Sequence, residues 1–70
     1  MPLTRKERKQ RLPKGAQRRV AALLGVSETT VSLVANNKTQ LLRKETVRDV
    51  RAALAQEIGE TVEEVWGTAA

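Results

Sequence analysis

Ser27, Thr29, Thr30, Ser32, Asn36 and Asn37 place six short hydrogen-bonding side chains close together in the chain, interleaved with valines and alanines. Such groups serve nucleophilic attack, metal ligation or recognition of another molecule. Attack by a hydroxyl needs a base beside it. The chain has no histidine and no cysteine, so Ser27 and Ser32 have no such partner, and a helix cap or a groove contact explains each more simply. A Cys/His zinc site is absent for the same reason. The acids are scattered over helix ends and outer faces, and no glycine-rich phosphate loop or paired-carboxylate cleft can be built from them. No catalytic residue, metal ligand or cofactor is expected, which leaves recognition. With Val31 set at zero and about 100° added per residue, Val34 and Ala35 fall beside it as a buried stripe, while Thr29, Ser32, Leu33 and Asn36 fall opposite. That outward face is short, uncharged and carries one leucine, a dressing that suits a DNA groove. Thr and Ser can bond base edges or phosphates, Asn can bridge adenine N6 and N7, and Leu33 can rest on a thymine methyl. A single exposed leucine is also ordinary on any protein surface, so both readings of Leu33 stand.

Two helices must position these groups. The first is predicted over 16–24, with Val20, Leu23 and Leu24 on one face and Ala21 small enough for another helix to approach closely. Gly25 ends it, because glycine tolerates the left-handed conformation that closes a helix C-terminus. Gly25, Val26 and Ser27 form the connection. Ser27 then caps a second helix from Glu28 to about Asn36, its hydroxyl accepting from an amide one turn in. The segment reads as a helix-turn-helix.

Gln17 to Asn37 resembles the DNA-binding motif of the lac-repressor family. Its Val-Ala, Gly-Val-Ser, Thr-Val-Ser and terminal Asn elements stand here as Val20-Ala21, Gly25-Val26-Ser27, Thr30-Val31-Ser32 and Asn36. The match covers about a third of the 70 residues. Within the wider lambda-repressor-like superfamily of phage repressors and Cro proteins, the resemblance implies phosphate contacts at Gln17 and Ser27 and base contacts at Glu28, Thr29, Ser32 and Leu33. The chain departs from the lac type at Leu33, where that family often has a polar or basic side chain, and no effector-binding domain follows the motif. No small-molecule effector is expected.

Charge is distributed unevenly. Up to residue 19, Arg5, Lys6, Arg8, Lys9, Arg11, Lys14, Arg18 and Arg19 face the single acid Glu7, a local balance of +7 against +5 for the whole chain. Cations beside a recognition helix favour a polyanion, since they release condensed counterions. The same cluster fits a solvated tail, RNA or an acidic membrane surface. Thr4 and Glu7 have the spacing of a capping box, and Leu3 and Leu12 can pin the two ends of the segment, so a short charged helix is favoured over a free arm. In either form Arg5, Lys6, Arg8 and Lys9 would lie near DNA, and an arm could enter a minor groove. Arg18, Thr30, Asn37, Lys38, Arg43 and Lys44 complete the expected phosphate contacts, the last four in or next to a loop over 37–43.

A longer amphipathic helix is predicted from about Lys44 to Ile58, with Val47, Val50, Leu54 and Ile58 in one arc and Glu45, Arg48, Asp49 and Gln56 off it. After Gly59, Thr61 with Glu63 and Glu64 starts a short helix carrying Val62, Val65 and Trp66. These three are candidate dimer contacts, as terminal helices of small phage-type regulators commonly are. For Trp66, the only aromatic residue, ordinary core is the favoured alternative.

The expected organisation is a basic segment over 1–15, a helix-turn-helix domain over 16–66 and a frayed tail over 67–70. The expected fold is all-α, a small four- to five-helix lambda-repressor-like domain. A chain of this size lies near the lower limit for one self-sufficient core, and a homodimer would help. No run of about 18 apolar residues could span a membrane, and the basic N-terminus lacks the apolar segment of a secretory signal, so a cytoplasmic, nucleoid-associated protein of a bacterium or a phage-infected host is expected. Its expected partner is double-stranded DNA, bound as a sequence-specific transcriptional regulator, a repressor acting at a promoter or operator. The rival readings are a basic RNA-binding or non-specific nucleoid protein, and an antitoxin-like protein-interaction module.

Overall fold

Side-chain caps start three of the helices, and runs of helix-forming residues carry the other two. The computed structural model describes residues 2–67, and among them five helices and no strand occur: α1 (Arg5–Arg11), α2 (Ala16–Leu24), α3 (Glu28–Ala35), α4 (Lys44–Ile58) and α5 (Val62–Trp66). None of the described helices is long and apolar enough to cross a membrane. The tail expected over 67–70 lies, beyond Gly67, outside the described residues.

The basic N-terminal segment is a helix. Thr4 Oγ1 accepts from Glu7 N at 3.2 Å, and Glu7 Oε1 accepts from Thr4 N at 3.1 Å, which satisfies two amides that a helix start leaves open. At the far end of α2, Gly25 takes φ 68° and its N–H donates to the Ala21 carbonyl. A side chain there would be strained whatever the free space, so the three-residue connection to α3 depends on this glycine. Ser27 and Thr61 cap α3 and α5 by accepting from Thr30 N and Glu64 N. The second helix of the pair is one residue shorter than predicted: Asn36 is its C-cap and not its last turn.

Val20 and Ala21 of α2, Val31, Val34 and Ala35 of α3, and Val47, Val50, Ala53 and Leu54 of α4 make the core, with Leu12, Leu24, Val26, Leu42 and Trp66 packed around it. The arc predicted for α4 faces inward, and Ile58, at its end, is half-buried. Leu23 is not a core residue. It is 73 % exposed, beside a groove between α2 and α4 lined by Val20, Ala22, Ala53 and Gln56. The alanines at 22 and 53 are too short to close over it.

Two further expectations are corrected by burial. Arg8, expected near DNA, is only 7 % exposed. From Arg5 to Arg11 the sequence offers no apolar residue, so the inner side of α1 has to be made from an aliphatic stem, and Arg8 supplies it. Its guanidinium reaches the C-terminus of α3, where Nε and Nη2 donate to the Ala35 carbonyl at 3.2 and 3.0 Å and Nη1 donates to the Leu3 carbonyl at 2.8 Å. Burial, and then Arg51 and Arg5, push the pKa of Arg8 down. A guanidinium starts so high that it stays charged.

Of the candidate dimer contacts, Val65 is fully buried and Trp66 is half-buried with its Nε1–H donating to the Arg51 carbonyl at 3.1 Å; Val62 alone is exposed, at 41 %. The turn at Gly59 lays α5 back against α4, so the apolar side of this five-residue helix is used within the protomer. Trp66 takes the core role.

Arg8→Met keeps the stem and removes every donor, leaving the Ala35 carbonyl short of its partners. The expected loss is about 2 kcal/mol, the worth of charged hydrogen bonds, and a fall in Tm of about 8–16 °C for a domain of this size. Arg8→Lys should recover only part, because one ammonium cannot serve both carbonyls with the same fork geometry. Thermal unfolding followed by circular dichroism measures both; a variant Arg8→Met as stable as the parent would show that these bonds contribute nothing net.

Candidate functional site

The starts of α2 and α3 stand side by side. Arg18 Nε lies 3.9 Å from Glu28 Oε1, both side chains largely exposed. Gln17, Arg18 and Glu28 share a groove with Lys9 and Lys14 from the α1–α2 corner. Ser27 and Thr30 form a unit below them: Ser27 Oγ accepts from Thr30 N at 3.1 Å and lies 2.9 Å from Thr30 Oγ1. The structure therefore brings together Lys9, Gln17, Arg18, Ser27, Glu28 and Thr30, with Thr29 exposed on the first turn of α3.

Further along α3, Ser32 and Leu33 are half-buried and not fully exposed. Asn36 is turned back onto the helix, its Nδ2 donating to the Ser32 carbonyl at 3.0 Å and lying 3.4 Å from Ser32 Oγ. An asparagine just past the last turn finds the carbonyl four residues back within reach, and takes it. Bridging an adenine would require that amide to be released, so the free protein does not present Asn36 in the expected way.

Asn37 and Lys38 are exposed immediately after α3, and the Lys38 N–H donates to the Leu33 carbonyl at 2.8 Å. Arg43 and Lys44 are exposed at the start of α4. Lys44 lines a groove with Thr39, Leu42, Arg48 and Val62, so it is not gathered with the α2–α3 cluster. Arg5 and Lys6 are exposed on α1.

Ion pairs sort the remaining cations. Arg19 makes a two-point contact with Glu57, Nε to Oε1 at 2.9 Å and Nη2 to Oε2 at 3.1 Å, and Arg11 lies 3.8 Å from Glu60. Among the described residues Arg5, Lys6, Lys9, Lys14, Lys38, Arg43 and Lys44 have no acid within 4.0 Å. Successive arginines of α2 thus point different ways, Arg18 toward α3 and Arg19 toward α4.

Arg51 is not among the residues to which the sequence assigns a role. It donates from Nη2 to Asn37 Oδ1 at 3.0 Å, and its guanidinium carbon lies 5.2 Å from the centre of the Trp66 ring, where that of Arg8 lies 4.4 Å away. A signal exists, because Arg51 borders the apolar arc of Val47, Val50, Leu54 and Ile58, about 20° past Ile58, an unusual register for a charged side chain. Arg8 had no comparable signal beyond the lack of apolar residues around it.

Taken together, these groups can hold an acceptor-rich polyanion along one edge and offer short donors and acceptors beside it. Comparison with protein-family models, curated proteins and solved structures gives no match for this chain.

The ionisations give a pH dependence with a definite sign. The hydrogen bond from Arg19 holds the Glu57 carboxyl below the ordinary glutamate value, and the backbone and side-chain hydrogen bonds of Thr4 do the same for Glu7. Their stabilisation is present above the unfolded glutamate pKa and is lost as pH falls through the depressed folded values. Glu64 is raised by its hydrogen bond and charge repulsion with Glu60, so it works in the opposite direction, stabilising below the unfolded value. Tm measured across the acid range should fall with pH, less steeply in Glu57→Gln and more steeply in Glu64→Gln. Parallel curves for all three proteins would contradict the assignment.

Proposed function

We propose that this chain is a sequence-specific, double-stranded DNA-binding regulator of the helix-turn-helix type, with α3 lying in the major groove. One observation carries the reading: the exposed, hydrogen-bonding start of α3 lies against the start of α2, linked by Arg18 and Glu28, with the unpaired cations Lys9 and Lys14 at the same corner. Phosphates and base edges need these two sets of groups adjacent, because phosphate contacts fix register and base-edge contacts read sequence. Glu28, Thr29, Ser32 and Leu33 face the bases, with Asn36 joining them once its amide leaves Ser32. Lys9, Lys14, Gln17, Arg18 and Lys38 hold the backbone.

The regulator acts by occupying a promoter or operator as a repressor. Two copies related by a two-fold axis set their α3 helices in successive major grooves about 34 Å apart on a palindrome. Architecturally this is a lambda-repressor-like arrangement, supported by the five-helix order and by the three-residue connection between α2 and α3.

Selection of sites from random duplexes, followed by competition with unselected duplex, tests the reading. A palindromic site bound well above the competitor is expected; equal affinity for both indicates a non-specific binder. Thr29→Ala should relax preference at one base position at a cost of about 1–3 kcal/mol, whereas Arg18→Ala or Lys38→Ala should weaken every sequence alike and lower the salt slope by about 1. If alanine at 29, 32, 33 and 36 together leaves site preference intact, α3 is not the reading helix.

A further inference from the structure

Asn37 is the only non-glycine residue among those described with a left-handed backbone, at φ 58°. Asparagine tolerates that conformation without help, because its short amide can bond locally. Yet Arg51 reaches over from α4, and its Nη2 donates to Asn37 Oδ1 at 3.0 Å. The bond orients the amide: with the oxygen held by Arg51, the NH2 group of this exposed residue is the part left for another partner, one position before the exposed Lys38.

Arg51 is itself held firmly and expensively. Its carbonyl accepts from Trp66 Nε1, its guanidinium lies near the Trp66 ring, and no acid pairs with it among the described residues. Its Nε is buried without any hydrogen-bond partner. A buried donor left unpaired costs stability. A methionine or leucine at this position would pack without that cost, and the one thing the guanidinium achieves at the surface is the orientation of Asn37.

We infer that Arg51 is a positioning residue for phosphate binding: without touching DNA, it fixes the Asn37 amide so that Nδ2 donates to a backbone phosphate oxygen beside Lys38. The inference rests on the DNA-binding reading above. Phosphate oxygens only accept, so an amide that presents NH2 fits and one that presents its oxygen does not. Freed from Arg51, the amide can turn either way.

The test is a double-mutant cycle on the full chain, using one selected duplex with a fluorescent label and anisotropy as the readout. Asn37→Gly keeps the backbone, since glycine takes the left-handed conformation freely, and removes the donor. Asn37→Gly and Arg51→Gln are each expected to lower affinity about three- to tenfold, the worth of one hydrogen bond. Arg51→Gln should lower it no further in the Asn37→Gly background, and should leave the salt slope at the parent value, because Arg51 releases no counterion. Arg51→Lys, which retains a cationic donor, serves in the same cycle if circular dichroism shows Arg51→Gln to be unfolded, and is expected to lie between the parent and Asn37→Gly. Equal losses in both backgrounds would reduce Arg51 to a general structural role, and a slope lowered by about 1 would make it a direct phosphate contact. Either result overturns the inference, as does parent-like affinity in Arg51→Gln. A parent protein that binds no duplex overturns the DNA-binding reading and the inference with it.

Discussion

The carbonyl of Ala35 has to be satisfied inside the protein, and the Arg8 guanidinium does it. A helix leaves its last carbonyls without intrahelical partners, and they carry the negative end of the helix dipole. At the C-terminus of α3 this open end is buried, so it draws a cation inward, and the cation draws α1 with it. The fork of Arg8 spans the Ala35 and Leu3 carbonyls, while its face lies near Trp66 of α5. One side chain thereby links the first helix, the end of the third and the last. No acid takes part. Arg8 and Arg51 are near enough to repel each other, and what holds them is carbonyl oxygen and the negative face of an indole ring. A core that is otherwise built from valine, alanine and leucine has few directional contacts, and this cluster supplies them.

What was legible in the sequence is what depends on near neighbours. A cap and its amide are three residues apart, so Thr4, Ser27 and Thr61 announce α1, α3 and α5 directly. Gly25 marks a backbone conformation, and the α4 stripe marks a period. Most of what the sequence hides has a different cause. Arg8 and Ala35 are far apart in sequence, and nothing local distinguishes Arg8 from Lys9 beside it. Leu23 fits the inward face of α2 by angle, but whether an angle is covered depends on which residues of α4 lie opposite, and those are short. Val65 and Trp66 were open to a partner or to the core until the turn after α4 put them against it. Asn36 lost its free amide to Ser32, a local contact that helical spacing permits and that a projection of outward faces does not show.

The N-terminal charge is put to three different uses by the fold. Arg8 is structural. Arg11 and Arg19 are answered by Glu60 and Glu57, which join α1 and α2 to the end of α4. Arg5, Lys6, Lys9 and Lys14 remain unpaired among the described residues, with Arg18 only loosely matched to Glu28 at 3.9 Å. Exposed pairs of this kind contribute little stability, so the value of the acids near Arg11 and Arg19 lies in where they leave the surplus. The surplus collects on α1 and at the α1–α2 corner, next to the start of α3.

That placement bears on the proposed mechanism more than the total charge does. Counterion release scales with the phosphates a surface can reach, and a cation buried under α3 or engaged with Glu57 reaches none. The cations proposed to reach a DNA backbone stand at the two ends of α3, Lys9, Lys14 and Arg18 at its start and Lys38 just past its end. Between them α3 carries one charge, Glu28 in its first turn, and none from Thr29 to Ala35. In the proposed complex a duplex held at both ends leaves the uncharged stretch from Thr29 to Leu33 over the base edges, where short side chains can bond or pack against them. In the proposed arrangement the buried Arg8 would serve reading as well as stability, because its bonds to the Ala35 carbonyl fix the end of α3 just before Lys38.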